Sequence, residues 1–377
     1  FKDVPLVGDP LERAKILIRE GIEQGAVGFA TGMSYHPNSW SDTAEMVELC
    51  KVTQEMDGVY VTHLRDVNTD RAFGGGGVPE ALEIGRQSGV KVHFSHHRTQ
   101  PRMGTLPGTE GKVADRVKLI DEAKANGVDC TLELYPYPTG SSFPASFLPS
   151  YAHEGGPDEM LKRLKDPIER AKIIEYLDDY DRRPLDEAVF TYVPRNNHYE
   201  GMTLYDIAQE RSVSMGEAIC DMLVEEDLQI CYRGAPPHNI SVWRQISQDC
   251  VELLSRDDYM VGSDAIPLGS LPHPRAYGCF PRFIGRLRRT FNIIGLEQMV
   301  QRMTQNPAVR FGLTKRGVIK ENYYADIVIF DAEHVIDNAT YDDPIQFPTG
   351  IPYVIVNGQV AVDNEVCTGI LAGQAVP

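Results

Sequence analysis

No run of about eighteen apolar residues occurs in this sequence, so no membrane-spanning helix is encoded. No Cys-x-x-Cys pair occurs either. The seven cysteines (Cys50, Cys130, Cys220, Cys231, Cys250, Cys279 and Cys367) are scattered and odd in number. That fits reduced thiols in a cytosolic protein better than a disulfide frame. A strong basic stretch is also missing. With 54 acidic against 37 basic residues, a formal net charge of -17 and an isoelectric point near 5.0, the chain is not built to bind nucleic acid. What is present is ordinary for a soluble globular protein: 42% hydrophobic and 24% charged residues. The 377 residues suffice for one large α/β domain and a small accessory one. The first residue is Phe1 rather than Met, so any targeting signal would lie upstream.

The stretch from Val59 to Arg98 organises the chain. Two short β-rich runs, Val59-Tyr60-Val61-Thr62 and Lys91-Val92-His93-Phe94-Ser95, each end on a histidine, His63 and His96. Between them Val78–Arg86 has helical apolar spacing. The two histidines are 33 residues apart, about one βα repeat of ~30 residues. In a parallel barrel, successive strand ends share one mouth, where barrel enzymes place their chemistry.

The same period runs on either side. A helix over Leu11–Ile22, a strand over Ala26–Ala30 and a helix over Thr43–Met56 precede His63. The tetraglycine Gly74–Gly77 reads as a flexible surface loop outside any element. After His96, a helix over Val113–Ala125 leads to the strand Val128–Tyr135. Its loop, Tyr135 to Ser142, adds aromatic and hydroxyl groups at the mouth. The period then breaks over residues 142–258, which read as an insertion with helices over Asp158–Leu177 and Ser214–Glu226 and a strand over Val189–Val193. A lid over the mouth is one use for it. Tyr259–Asp264 restores a strand ending in a carboxylate, and helices over Ile284–Phe291, Leu296–Met303 and Pro307–Phe311 follow. Beyond residue 317, Ala325–Phe330 and Pro352–Val362 read as strands, with Asn357-Gly358 as a hairpin turn. The expected domains are residues 1–316 and a small β portion, 317–377.

His63, His96 and Asp264 are the candidate metal ligands. Neutral imidazole and carboxylate suit zinc, and a site with three protein ligands keeps a position open for water. Such an ion lowers the water's pKa, while a free carboxylate oxygen takes the proton and returns it to the departing nitrogen. One histidine at a strand end is ordinarily a hydrogen-bonded core residue; two in phase, joined by an Asp after Gly-Ser, outweigh that reading. His97, one residue on, reads as a neighbour of the site or a solvent-facing group. Arg65, Arg98 and Arg275 are candidates to hold an anionic substrate through bidentate guanidinium contacts, with surface salt bridges as the plain alternative. Tyr135 and Tyr137 lie in a Pro-stiffened strand-end loop, and with Ser142, which closes the same loop, they are further candidates to contact the substrate.

The pieces Gly28–Gly32, Thr62-His63-Leu64-Arg65, Ser95-His96, Tyr135-Pro136-Tyr137, Gly262-Ser263-Asp264, His273–Gly278, Phe280-Pro281-Arg282, Asn306-Pro307-Ala308, Ala325–Val328 and Val356-Asn357-Gly358 occur in one order. In that order the sequence resembles the D-aminoacylase (N-acyl-D-amino-acid deacylase) branch of the amidohydrolase superfamily, nearly end to end. The resemblance implies a metal-dependent (β/α)8 TIM barrel, of which strands four to eight would be on this chain, with a small β-sandwich. It implies one or two zinc ions, or another divalent metal, on His63 and His96, with Asp264 as the catalytic acid/base. Arg275 with Tyr135 or Tyr137 would hold the carboxylate of a small anionic amide, an N-acyl-(D-)amino acid. Where the family often has Lys, two places after the second histidine, this chain has Arg98.

Family members also carry a first strand with His-x-His and a bridging ligand, often Cys. No His-x-His occurs here. The expectation is therefore a hetero-oligomer, in which a second chain or N-terminal fragment supplies that motif. The alternatives are a hydantoinase-like hydrolase of cyclic amides and a non-catalytic scaffold subunit or degenerate paralogue.

Overall fold

The computed structural model describes residues 2–99, 113–179 and 185–376. The chain opens with α1 (Asp9–Glu23), whose Leu11, Ala14 and Ile18 lean on the main core, although no residue of the helix is fully buried. Then β1 (Gly28–Gly32), α2 (Thr43–Glu55), β2 (Val59–His63), α3 (Gly77–Ser88), β3 (Lys91–Phe94), α4 (Val113–Ala125) and β4 (Cys130–Leu134) alternate as the periodicity requires. Local chemistry sets the boundaries. Asp42 accepts the backbone N–H of Glu45 and caps α2. Gly89, at φ 73°, ends α3 in the left-handed conformation that glycine supplies without strain. One boundary differs from expectation: the tetraglycine is not outside the elements. Gly77 opens α3, and Gly76 packs on the backbone of Arg65, where a Cβ would lie 3.2 Å from the carbonyl oxygen.

The chain next leaves the sheet for β5 (Ser141–Ser142), α5 (Pro157–Lys165), α6 (Pro167–Asp178), β6 (Ala188–Tyr192), α7 (Leu204–Arg211), α8 (Met215–Glu225) and β7 (Cys231–Gly234). The single helix expected over residues 158–177 is two. Pro167 has no N–H to continue a helix, and Asp166 caps the new one by accepting from Ile168 and Glu169. These elements bury a separate apolar cluster that includes Leu164, Ile173, Phe190, Ile219 and Leu223.

α9 (Ile240–Leu254) returns to the main core through Ile246, Cys250, Val251 and Leu254, and leads into β8 (Tyr259–Val261). The main sheet has the order β1-β2-β3-β4-β8, with every pair parallel. Strand order follows chain order, so each crossover steps the same way and all five strand ends lie along one edge. Val59, Tyr60, Val92, Phe94, Leu132 and Leu134 are buried, as expected of a parallel sheet covered on both faces. Among the described residues, β1 and β8 are the open edges of this sheet.

α10 (Arg275–Pro281) runs through a π turn at Arg282–Leu287 into α11 (Arg288–Phe291). The helix expected from Ile284 thus begins at Arg275. Pro281 lies inside it, and the ladder widens directly after this missing donor. α12 (Leu296–Met303) and α13 (Gln305–Arg310) precede an antiparallel sheet of β9 (Ile327–Ile329), β10 (Tyr353–Val356), β11 (Gln359–Asp363) and β12 (Val366–Cys367). Asn357 and Gly358 both have positive φ, 48° and 79°, as a two-residue hairpin turn demands. No described helix is long and apolar enough to cross a membrane.

Candidate active site

His63 is the last residue of β2, and His96 follows β3 by two. Between them β-pairing sets Thr62 against Phe94, so the two side chains emerge side by side. His63 Nδ1 lies 2.8 Å from His96 Nε2. Burial pushes both imidazoles down, His96 to about 3, so the pair is neutral and one ring donates to the other. Neutral imidazoles with converging nitrogens are the donors a divalent ion takes up.

Asp264 lies just past β8. Arg275, from the start of α10, meets its carboxylate at 2.7 Å. Burial raises the Asp264 pKa; the positive charge of Arg275 and the nearby His63 pull it back down. Over a third of the Asp264 side chain stays accessible, so the carboxylate faces the open side of this edge. Asp264 and His96 both adopt the left-handed backbone conformation, at φ 49° and 39°. Such strain in non-glycine residues persists only where surrounding contacts hold it.

Glu133, the penultimate residue of β4, supplies those contacts for His96 and was not singled out from the sequence. Its Oε1 accepts the backbone N–H of His96 at 2.6 Å, and its carbonyl accepts that of His97 at 2.7 Å. Its Oε2 is buried without a hydrogen-bond partner among the described residues. The signal was available, since Glu133 is a charge inside an otherwise apolar strand, two residues before the loop. Burial raises its pKa to about 7, the negative Asp264 adds to this, and the His96 N–H opposes it. Gly262 makes room for it: a Cβ there would lie 1.5 Å from Oε2.

Tyr135 is flanked by two cations, with Arg98 4.6 Å and Arg275 4.5 Å from its ring centroid. Arg98 Nη2 also donates to Tyr135 Oη at 3.1 Å. Arg275 Nη2 donates to Ser141 Oγ at 2.9 Å, so Ser141, rather than the expected Ser142, touches this group. The Ser142 hydroxyl bonds instead to Tyr35 Oη at 3.0 Å, and the Tyr35 ring packs on His63.

Two expected site residues lie elsewhere. Arg65 is wholly buried, paired with Glu80 at 2.8 Å and donating to the carbonyls of Ser39 and Ser41; its guanidinium fastens loops and presents nothing to a substrate. Tyr137 stands behind Tyr135 against His273 and Tyr341, its hydroxyl over Gly278. His97 faces inward, not to solvent, and shares a hydrogen bond with Tyr259 Oη at 2.7 Å.

Among the described residues no group of three His, Cys, Asp or Glu side chains gathers to hold a metal ion. The donor chemistry nevertheless fits one: two neutral imidazoles in contact, an acid whose charge reaches them, and an unpartnered carboxylate oxygen behind them. The set is a half-site, and the expected His63, His96 and Asp264 triad is not assembled, because Asp264 is held by Arg275.

The amidohydrolase family matches residues 167–362. The chain is 31% identical over 343 residues to the N-acyl-D-glutamate deacylase of Alcaligenes xylosoxydans xylosoxydans, covering 91% of this chain and 59% of that protein. It is 30% identical over 365 residues to the D-aminoacylase of the same organism, covering 96% and 63%. It therefore spans about three fifths of the length of these curated relatives. A crystal structure of D-aminoacylase superposes with a TM-score of 0.75 at 28% identity, covering 99% of this chain and 67% of the other. The zinc and phosphonate complex of N-acyl-D-glutamate deacylase from Bordetella bronchiseptica superposes with a TM-score of 0.74 at 26% identity, covering 99% and 66%. The chain thus belongs to the amidohydrolase family, in its D-aminoacylase branch.

Proposed function

We propose that this chain carries the larger part of a metal-dependent hydrolase that deacylates N-acyl-D-amino acids. The observation that carries this is the convergence of His63 and His96 beside the Asp264–Arg275 pair at the ends of parallel strands. Zinc would be held by His63 and His96, as the zinc-bound relative and the binuclear metal centre described for D-aminoacylase support. When bound, the ion supplies an activated water and polarises the scissile carbonyl.

The chain's own residues do the rest. Asp264, kept close to its ionised form by Arg275, takes the proton of the attacking water and passes it to the departing amide nitrogen. Acid and amine are the products. Arg275, Arg98 and Tyr135 receive the substrate's carboxylate, since Arg275 Nε and Arg98 Nε have no hydrogen-bond partner among the described residues, while Arg275 Nη1 stays on Asp264. Glu133 fixes the turn that carries His96.

The architecture in this reading is an arc of a (β/α)8 barrel over residues 1–316, an insertion within 142–258, and a β-sandwich portion over 317–377. Sequential strand order and two open edges support the arc. The same edges and the half-site support completion by a further segment or second chain bearing His-x-His. Six buried thiols, none in a disulfide, support a reducing, cytoplasmic setting.

The test is to incubate the zinc-loaded protein, assembled with the segment that carries His-x-His, with N-acetyl-D-amino acids and follow the free amine. Release that stops with a chelator and with Asp264→Asn is expected. Opening of cyclic amides instead would move the reading to a hydantoinase-like enzyme, and failure of the protein to bind zinc even when assembled with the His-x-His segment would leave a scaffold subunit.

A further inference from the structure

More positive charge is buried beside this site than the proposed reaction uses. Arg98, Arg233 and Arg275 are only 3%, 6% and 1% exposed, and all three act electrostatically on the buried His273. Arg98 and Arg275 flank Tyr135 in the carboxylate-binding wall. Arg233 belongs to the inserted segment, on β7, and pairs directly with Ser141 of β5. Directly paired residues project from one face of a sheet. On that face Ser141 Oγ accepts from Arg275, so Arg233 is directed to the same side as the Arg275 guanidinium. Its guanidinium lies 4.9 Å from the Tyr341 ring centroid, and Nη2 donates to the Tyr341 carbonyl at 3.1 Å. Tyr341 Oη in turn reaches His273 Nε2 at 3.1 Å.

Nε and Nη1 of Arg233 are buried with no hydrogen-bond partner among the described residues. Asp342 is near enough for its charge to act on Arg233, but it is exposed, and no described ion pair joins the two. A guanidinium withdrawn from water without an anion is costly, and its planar fork suits a carboxylate. Resting on the deacylase reading above, we propose that Arg233 is a specificity residue that binds a second carboxylate. The preferred substrates are then N-acyl-D-amino acids with an acidic side chain. Their α-carboxylate lies on the Arg275, Arg98 and Tyr135 wall, and the side-chain carboxylate on Arg233.

The experiment compares kcat/KM of the zinc-loaded protein, assembled with the segment that carries His-x-His, for N-acetyl-D-glutamate, N-acetyl-D-aspartate and N-acetyl-D-methionine, in the wild type, Arg233→Gln and Arg233→Lys. In Arg233→Gln the acidic-to-neutral ratio falls about ten- to a hundredfold, mainly through KM, with the methionine substrate unchanged. Arg233→Lys restores part of the ratio. An equal loss on acidic and neutral substrates would make Arg233 a structural partner of Asp342 and overturn the proposal, as would an unchanged ratio. If no N-acyl-D-amino acid is hydrolysed, the deacylase reading falls. Calorimetry with N-acetyl-D-glutamate and N-acetyl-D-methionine then decides the proposal. Tighter dicarboxylate binding that Arg233→Gln abolishes upholds it, and equal binding overturns it.

Discussion

Asp264 and His96 are both held at positive φ, Asp264 beside its partner Arg275 and His96 by a glutamate with no direct claim on the substrate. The two roles separate on substitution. Asp264→Asn keeps shape and removes the proton acceptor; kcat should fall about 10²- to 10⁴-fold while zinc content and melting temperature hold. Parallel metal analysis and thermal melts check this. His93 illustrates a different use of the same residue type. It points away from the mouth, bonds Thr131 Oγ1 through Nδ1 at 2.8 Å, and packs on Phe311. Burial, helped by Arg310, pushes its pKa down to about 3. The unfolded chain takes up that proton near pH 6.5, where the folded one does not, so the unfolded state binds more protons and stability falls as pH drops from about 6.5 toward 3. At pH 4.5 the expected loss from this group is about 3 kcal/mol relative to pH 7. Urea melts at the two pH values should show a smaller loss in His93→Gln than in the wild type.

Elements explain why some of the site was legible and some was not. His63 and His96 were readable because the βα period places strand ends in register, and the structure pairs those strands as the period requires. Tyr135 was readable from its loop. Arg65 looked alike in sequence, one turn past a strand-end histidine, but its destination depends on α3, which presents Glu80 to it. No local pattern encodes that meeting. The buried pair joins the β2 loop, the Ser39–Ser41 turn and α3, and removing one partner strands a charge in the core. Glu80→Ala should therefore cost about 3 to 5 kcal/mol, and Arg65→Met with Glu80→Leu should recover most of it. Denaturant titration measures both, and turnover per folded molecule should be the same in the double variant as in the wild type. The close approach of β8 to β4 was equally hidden. Gly262 reads as an ordinary loop residue until Glu133 is found against its Cα. Gly262→Ala would push the two elements apart, and loss of zinc together with activity is expected, in contrast to Asp264→Asn.

At the scale of the molecule the main sheet and the terminal sheet have the same unfinished character. β1 and β8 are unpaired edges among the described residues, and α1 leaves Ile16 and Leu17 about half exposed, at 47% and 51%. An apolar cavity of about 850 Å³ lies between α12, α13 and the terminal sheet, lined by Val300, Met303, Val318, Ile327, Phe330 and Val354. Open edges and apolar surface of this kind favour self-association unless something covers them. Two imidazoles without a third donor gathered to them among the described residues make the same point in chemical terms, because a catalytic zinc site takes three protein ligands. One completing segment would answer both demands, closing the sheet and bringing the His-x-His donors to the mouth. The chain alone should bind a hydrophobic dye strongly and hold zinc weakly. Adding a segment that carries His-x-His should quench the dye and tighten zinc binding at the same molar ratio. Denaturing mass spectrometry of the native particle tests the same idea from the other side, by looking for that second polypeptide. If the 377-residue chain alone binds zinc tightly and stays dark with the dye, its half-site is complete by another route, and the barrel arc is not the assembled form.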